Sequence, residues 1–257
     1  MLANYHTHTW RCRHASGTER EYIEHAIRAG LKVLGFSDHT PIPFKGGYVS
    51  DHRMPPDLLE DYVTTVSALK AEYSREIEIH LGLEFEYAPR YLEEQLAVMR
   101  DYPIEYLLLG QHFLEDEIGG AYCGKPTRKE STLVKYREVC EEAMHSGLYL
   151  YFAHPDVIHF IGDASVYERE MHHLCETARS LSIPLEINLL GIDTHRNYPN
   201  PLFWKIAGEV GCDAVIGCDA HRAEDVTRPA AYEKAMRIVK DHHLHLLTEL
   251  SLKGLPR

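Results

Sequence analysis

The chain has 257 residues, of which 44% are apolar, and it carries a formal net charge of -12. This length is ordinary for one α/β barrel, so we expect a single domain over residues 1–257. The acidic balance argues against a surface that follows nucleic-acid phosphates, and no run reaches the roughly eighteen apolar residues that a membrane span requires. We therefore expect neither nucleic acid nor a membrane as a partner. A small anionic substrate remains compatible, because bound metal ions can reverse the local potential.

The six cysteines are scattered and form no C-x-x-C pair. This spacing is typical of reduced thiols in a cytosolic protein, so we expect a cytoplasmic location. No protein partner is inferred. The unusual feature of the composition is the presence of 18 histidines, which needs an explanation.

Apolar runs of strand length alternate with amphipathic runs of helical length along the chain. Seven strands are predicted at residues 2–5, 33–37, 78–83, 106–109, 148–153, 185–189 and 214–217. Six helices are predicted between them at residues 18–29, 57–75, 91–101, 133–146, 165–181 and 201–210. This alternation predicts a parallel sheet in an α/β protein. Seven such units favour a closed barrel, with an open sheet as the alternative.

Two local signals refine these elements. Thr18 is followed three residues later by Glu21, the pattern of a capped helix start. The segment at residues 40–56 contains four prolines and two adjacent glycines, which predict a long loop and a candidate lid.

Candidate metal ligands follow the predicted strands, at the point where each strand ends. The first strand runs into His6 and His8, whose spacing of two places both imidazoles on the same side. The seventh strand runs into Asp219 and His221, which are also two residues apart. Further candidates lie in the first loop and at the ends of strands two to five: His14, His39, Glu84, His112 and His154. In a parallel barrel these strand ends meet at the rim where barrel enzymes build active sites.

Imidazole nitrogens and carboxylate oxygens together suit zinc, manganese or iron. The lack of a cysteine cluster argues against a closed structural site. Seven histidines and two carboxylates exceed what one four-coordinate ion can use, so two or three ions are indicated. Glu84 is a candidate bridge between a pair.

An isolated histidine is usually a solvated or hydrogen-bonding side chain rather than a ligand. On that ground nine histidines are interpreted as structural or surface residues: His25, His52, His80, His145, His172, His173, His242, His243 and His245. The ordered series at six strand ends is what separates the candidate ligands from these.

These elements together resemble the polymerase-and-histidinol-phosphatase (PHP) superfamily. The matching motifs are H-T-H at His6, S-D-H-T-P ending at Pro41, G-L-E-F-E around Glu84, G-Q-H at His112, A-H-P-D at His154 and C-D-A-H at Asp219. The resemblance implies a distorted (β/α)7 TIM-like barrel.

The resemblance also implies three divalent metal ions. It assigns the first ion to His6, His8, Glu84 and Asp219, the second to Glu84, His112 and His154, and the third to His14, His39 and His221. Superfamily members differ at the position of His14, which is one of the ligands of the third ion.

Within the superfamily, the chain is most similar to the stand-alone histidinol-phosphatases of histidine biosynthesis. Its length, the S-D-H-T-P element, the long loop that follows and G-Q-H-F in the fourth block support this interpretation. The expected reaction is the hydrolysis of a small phosphate monoester, L-histidinol phosphate, by attack of a metal-activated hydroxide on phosphorus.

Several residues are predicted to serve this reaction. Asp219, His221 and Glu84 are the catalytic candidates, with Asp219 or His221 assisting proton transfer. Arg196, in the loop after the sixth strand, is the candidate phosphate contact, because its planar fork matches two phosphate oxygens. Gln111 and Glu115 are candidates for binding the amine or imidazole of histidinol.

Three other functions stay open at this point. A phosphoesterase of the same superfamily could act on another monoester, a nucleotide or a phosphodiester. An amidohydrolase also opens its barrel with H-x-H, but it commonly has a lysine at the fourth strand end, where this chain has His112. A non-catalytic protein would bind metal without turnover.

Overall fold

The computed structural model describes residues 1–252, in which strands alternate with helices. The strands are β1 (Ala3–Asn4), β2 (Val33–His39), β3 (Glu78–Phe85), β4 (Tyr106–Leu109), β5 (Tyr151–Phe152), β6 (Leu185–Asn188), β7 (Asp213–Gly217) and β8 (His245–Leu246). The α-helices are α1 (Glu19–Arg28), α2 (Leu59–Glu72), α3 (Leu92–Met99), α4 (Glu130–His145), α5 (Ala164–Ser180), α6 (Leu189–Asp193), α7 (Pro201–Val210) and α8 (Pro229–Asp241). The strand order in the sheet is the order along the chain.

All seven predicted strands and all six predicted helices overlap observed elements. The predicted cap of α1 is confirmed: the Thr18 side chain accepts the Glu21 N–H, and the Glu21 carboxylate accepts the Thr18 N–H at 2.7 Å. Elements α6, α8 and β8 were not predicted. Two of these are too short for a periodic pattern, and the buried face of α8 consists of Ala231 and Ala235, which give a weak apolar signal.

The chain falls into two compact units. The first unit holds Met1–Leu108 and Gly217–Arg228 together with the described residues from Thr248 onward. The second unit holds Leu109–Ile216 and Pro229–Leu247. The boundaries fall within β4 and β7, and the expectation of a single domain over the whole chain stays a prediction.

In the first unit, β1, β2 and β3 pair in parallel. Their register aligns Val33 with Glu78 at one end and His39 with Glu84 at the other. Every residue of β2 is buried, as expected for a strand covered on both faces. The register therefore sets the polar ends of β2 and β3 side by side.

Tyr106 of β4 fills the interior of the first unit. Its hydroxyl donates to the carbonyl oxygens of Tyr5 at 2.7 Å and Phe36 at 3.0 Å. Strands β2 and β3 carry Gly35 and Gly82 at this level, where a Cβ would collide with the tyrosine side chain. Overpacking of this kind costs about 1–3 kcal/mol, so the small residues are required by the ring.

In the second unit, helix α5 packs against both α4 and α7. Strands β5 and β6 pair in parallel, as do β7 and β8. A buried carboxylate, Asp156, accepts the Trp204 indole N–H at 3.1 Å and the Asn200 backbone N–H at 2.5 Å, which ties the start of α7 to the end of β5. None of the helices in the described part of the chain combines the length and apolar character needed to cross a membrane.

Candidate metal centre

A short parallel β-bridge joins two segments of the first unit, one after β1 and the other after β7. Thr7 and Ala220 pair in parallel, the His8 N–H donates to the Ala220 carbonyl at 2.9 Å, and the Ala220 N–H donates to the His6 carbonyl at 3.2 Å. The bridge places the H-x-H element after β1 beside the D-x-H element after β7. Side chains that flank the bridge therefore lie close together, although their positions differ by more than 200 residues.

His6, His8 and Asp219 form one compact group of candidate ligands. The two imidazole Nε2 atoms are 3.2 Å apart, and Asp219 Oδ1 lies 3.1 Å from Nε2 of His8 and 3.7 Å from Nε2 of His6. All three residues are buried. The group presents two nitrogens and one oxygen to a single point.

Glu84, near the end of β3, reaches three histidines of the same unit. Its Oε2 lies 3.7 Å from His6 Nε2, 3.6 Å from His8 Nε2 and 3.0 Å from His39 Nδ1. The carboxylate is 1% exposed, so water contributes little to its solvation. Such a position suits a carboxylate shared between neighbouring cations.

His14, His39 and His221 form a further group whose ligand atoms lie within 4.8 Å of one another. The ring of His14 lies 5.2 Å from that of His39 and 4.7 Å from that of His221. His14 Nδ1 lies 2.8 Å from the Cys12 carbonyl, a contact that leaves Nε2 as the candidate ligand atom. His14 is exposed and His39 is buried, so this group is open on one side.

The protonation states of several residues favour cation binding. Burial lowers the pKa of His39 well below its usual value, and burial together with the nearby His8 lowers the pKa of His221 to about 3. Burial alone raises the pKa of Asp219, but the charge interaction with His6 and the hydrogen bond with His8 hold that pKa well below its usual range. At neutral pH these groups are neutral imidazoles and an ionised carboxylate, the forms that bind metal.

His8 behaves differently from the other histidines. Burial alone lowers its pKa, but hydrogen bonds with Asp219, Asp38 and Cys12 raise it well above the usual value. A metal ion would displace this proton, so metal binding at His8 is linked to proton release.

In the second unit, His112 and His154 lie with their ring centroids 4.8 Å apart. The carbonyl of His112 accepts the Cys123 N–H at 2.7 Å, and the His154 N–H donates to Glu186 Oε2 at 3.0 Å. The two predicted ligands of this unit are therefore neighbours, and both are held through their backbones.

Backbone strain marks one candidate ligand in each unit. His154 has φ of 34° and Asp219 has φ of 49°, a region that residues with a side chain rarely adopt. Such conformations cost about 1–3 kcal/mol each and persist where the surrounding structure enforces them, often at functional sites.

Arg196 lies near His154 through an intervening tyrosine. Its Nη1 donates to Tyr198 Oη at 2.7 Å, and the Tyr198 ring lies 5.7 Å from the His154 ring. Arg196 is exposed, so its guanidinium is accessible to an anion. The contact of Arg196 with a phosphate stays a prediction.

The two other predicted substrate residues differ from each other. Gln111 is fully buried and its amide donates to the Phe113 carbonyl at 2.6 Å, which engages the side chain within its own loop. Glu115 is exposed in the segment between β4 and α4. Both roles stay predictions.

The donor set of the first unit fits a divalent cation. It combines imidazole nitrogens with carboxylate oxygens, the ligands that zinc, manganese and iron accept, and places them in buried groups of three. Glu84 and Asp219 are buried, and a bound cation would offset the negative charge of their carboxylates.

Sequence reasoning missed residues that contact candidate ligands, among them Asp38, Glu186 and Tyr198. Asp38 lies 3.5 Å from His8, Glu186 accepts the His154 N–H, and Tyr198 connects His154 with Arg196. The available signal was a carboxylate inside an otherwise apolar strand, as in L-E-I-N of β6. A buried charge of this kind requires partners, which only the fold can supply.

Comparison with known protein families adds a decisive observation. The PHP domain family matches residues 4–189 of the chain, which is most of its length. The chain belongs to the PHP family. Membership removes the amidohydrolase alternative and agrees with the site's chemistry, a centre for divalent metal ions.

Relatives of this PHP protein have been described in several organisms. A probable histidinol-phosphatase of Deinococcus radiodurans is 28% identical over 88% of each chain. A histidinol-phosphatase of Bacillus subtilis is 33% identical over 44% of each chain. The chain therefore spans nearly the full length of the first of these relatives.

A solved structure of similar fold is the histidinol phosphate phosphatase of Lactococcus lactis, complexed with zinc, L-histidinol and phosphate. The TM-score is 0.77 at 20% identity, with 100% of this chain and 99% of that chain covered. The likeness confirms the α/β class and the distorted TIM-like barrel. The short β8 is an addition to the seven predicted strands.

Proposed function

We propose that this PHP protein is a metal-dependent phosphatase that hydrolyses L-histidinol phosphate to L-histidinol and inorganic phosphate. The observation that carries the proposal is the buried group of His6, His8 and Asp219, with donor atoms 3.1–3.7 Å apart. The names of the relatives support the substrate, since one is named a histidinol-phosphatase and the other a probable histidinol-phosphatase. The reaction places the protein in histidine biosynthesis.

The proposed cofactors are three divalent ions of zinc, manganese or iron. In the first unit, one ion is assigned to His6, His8, Glu84 and Asp219, and another to His14, His39 and His221. The assignment of Glu84, His112 and His154 to the remaining ion is a prediction from the family resemblance. When bound, such ions neutralise phosphoryl charge and lower the pKa of water.

The chain's own residues have defined tasks in this proposal. Arg196 binds phosphoryl oxygens through its fork of N–H donors, and its hydrogen bond to Tyr198 holds that fork in place. Asp219 or His221 moves a proton between the attacking water and the leaving alkoxide. Gln111 and Glu115 recognise the cationic part of the substrate.

The proposal keeps the cytosol as the compartment and a small molecule as the partner. All six cysteines are free and buried, which suits a reducing compartment. The acidic balance of the chain argues against nucleic acid.

The test measures metal content and phosphate release on the same preparation. Elemental analysis is followed by turnover of histidinol phosphate before chelation, after chelation and after readdition of each metal. A generic monoester, a phosphodiester and single-stranded DNA are compared as substrates. We expect the highest kcat/KM for histidinol phosphate, with loss on chelation.

A pair of variants controls the test. Asp219→Asn alters a candidate ligand, whereas Asp213→Asn alters an aspartate that contacts only His245 among the described hydrogen-bond partners. The first variant is expected to lose turnover and the second to keep it. A rate for histidinol phosphate no better than for the generic monoester would overturn the substrate, and another preferred ester would point to a different PHP phosphoesterase.

A further inference from the structure

We infer that Asp38 is a positioning residue that holds the imidazole of His8 with Nε2 toward the ligand group. Asp38 lies near the end of β2 and is fully buried. Its Oδ1 is 3.5 Å from His8 Nδ1. The opposite nitrogen, His8 Nε2, is the atom that lies 3.1 Å from Asp219.

The carboxylate of Asp38 is itself held in place. Its Oδ1 accepts the His39 backbone N–H at 2.8 Å, and its Oδ2 accepts the Thr9 hydroxyl. His39 is itself a candidate ligand, and Thr9 follows the candidate ligand His8 in the chain. A shift of Asp38 would therefore move two ligand-bearing segments.

A buried arginine extends this network to the helices. Arg11 is 2% exposed, and its Nη1 lies 3.4 Å from Thr9 Oγ1. The same guanidinium pairs with Glu19 of α1 and donates to Asp61 of α2 at 2.5–2.9 Å. The hydroxyl that binds Asp38 is thus anchored to two helices of the first unit.

The chemistry explains why a carboxylate is needed beside His8. A neutral imidazole has one N–H and one lone pair. When Nδ1 carries the hydrogen and points to Asp38, Nε2 keeps its lone pair for a cation. Asp38 belongs to none of the candidate ligand groups found in residues 1–252, so its role is to orient a ligand.

The inference rests on the proposed metal centre but not on the proposed substrate. Loss of a carboxylate that supports a ligating histidine typically weakens metal affinity by about 10–100-fold. Asp38→Asn keeps the volume but offers one acceptor oxygen to three donors. We expect about tenfold weaker binding in Asp38→Asn and a larger loss in Asp38→Ala.

The experiment measures the affinity for zinc by chelator competition, the number of ions at saturation, and the thermal midpoint of the metal-free protein. Glu105→Gln is the matched control, because Glu105 is a structural carboxylate of the same unit that binds Lys70 and the Leu81 N–H. We expect Glu105→Gln to keep wild-type zinc affinity. Both Asp38 variants should bind the wild-type number of ions at saturation.

Two outcomes would overturn the inference. Wild-type zinc affinity in Asp38→Asn would show that the carboxylate does not support His8. If Asp38→Asn binds one ion fewer than wild type at saturating zinc, Asp38 is a ligand rather than a positioning residue. If Asp38→Ala fails to fold, Asp38→Asn still decides the question. If both variants lose zinc affinity as expected but the wild-type protein turns over histidinol phosphate poorly, only the proposed substrate is contradicted.

Discussion

The two units bring candidate ligands together by different means. In the first unit, His6, His8 and Glu84 contact one another through side-chain atoms, and Asp38 faces the imidazole of His8. In the second unit, Glu186 accepts the backbone N–H of His154. Side-chain contacts orient a donor atom directly, whereas a backbone contact fixes the point from which the side chain starts.

Glu186 illustrates the second arrangement. The carboxylate is fully buried and accepts hydrogen bonds from the His154 N–H, the Asn188 amide at 2.9 Å and the Tyr151 hydroxyl at 3.2 Å. Asn188 in turn caps α6 through the Gly191 N–H. One carboxylate therefore supports both a strained histidine and the helix that precedes Arg196.

The largest effect should distinguish the two units by metal content. Glu84→Gln replaces the carboxylate that reaches three histidines by a neutral amide, and we expect activity to fall by about 10³-fold with loss of metal from the first unit. His154→Ala should remove about one ion and leave the first unit's ions bound. Elemental analysis with kinetics measures both, and loss of every ion in His154→Ala would contradict the assignment of the other two ions to ligands of the first unit.

Arg196→Ala tests the anion contact of the second unit. A hydrogen bond to a charged group is worth about 1.5–3 kcal/mol, so kcat/KM should fall about 10–100-fold without loss of metal. Arg169→Ala is the control, since Arg169 is a surface arginine of the same unit that pairs with Glu130 and Glu170. Unchanged kinetics in Arg196→Ala would remove this residue from the site.

Glu186→Gln tests whether the hydrogen bond from the His154 backbone to Glu186 supports metal binding at His154. The amide offers one acceptor oxygen where three donors now meet a carboxylate, so we expect about tenfold weaker metal binding at His154, with a smaller change at the first unit. Chelator competition measures the metal affinity of each unit, and substitution of the candidate ligands in one unit isolates the affinity of the other. Uniform weakening in both units would argue for a general loss of stability.

The smallest expected effect concerns Glu105, which lies at the ends of β3 and β4 away from the candidate ligands. Hydrogen bonds from His80, Lys70 and the Leu81 N–H outweigh partial burial and lower the pKa of Glu105 to about 2. The folded-state pKa of Glu105 lies below its ordinary value of 4.5. Ionised Glu105 therefore stabilises the folded protein above pH 4.5, and this stabilisation is lost as the pH falls toward 2.

Glu105→Gln should therefore lower stability at pH 7 by about 1 kcal/mol, after allowance for solvent screening. Urea unfolding at pH 7 and at pH 3 measures the change. The difference from wild type should shrink at the lower pH, and a difference that grows in acid would contradict the assigned hydrogen bonds.

The sequence by itself determined the order of the elements and the identity of the candidate ligands. Period-two spacing places His6 and His8 on one side of a strand end, and this local geometry holds without knowledge of the partners. Alternating strands and helices determined the α/β class, because parallel strands need crossover helices. The ligand roles themselves remain predictions.

Only the tertiary structure decided which side chains support those ligands. Asp219 reaches His8 through a bridge between Thr7 and Ala220, a pairing that no local pattern contains. Asp38 and Glu186 appear in the sequence merely as charges within apolar runs. A buried carboxylate is stable only with donors around it, and those donors come from segments that folding brings together.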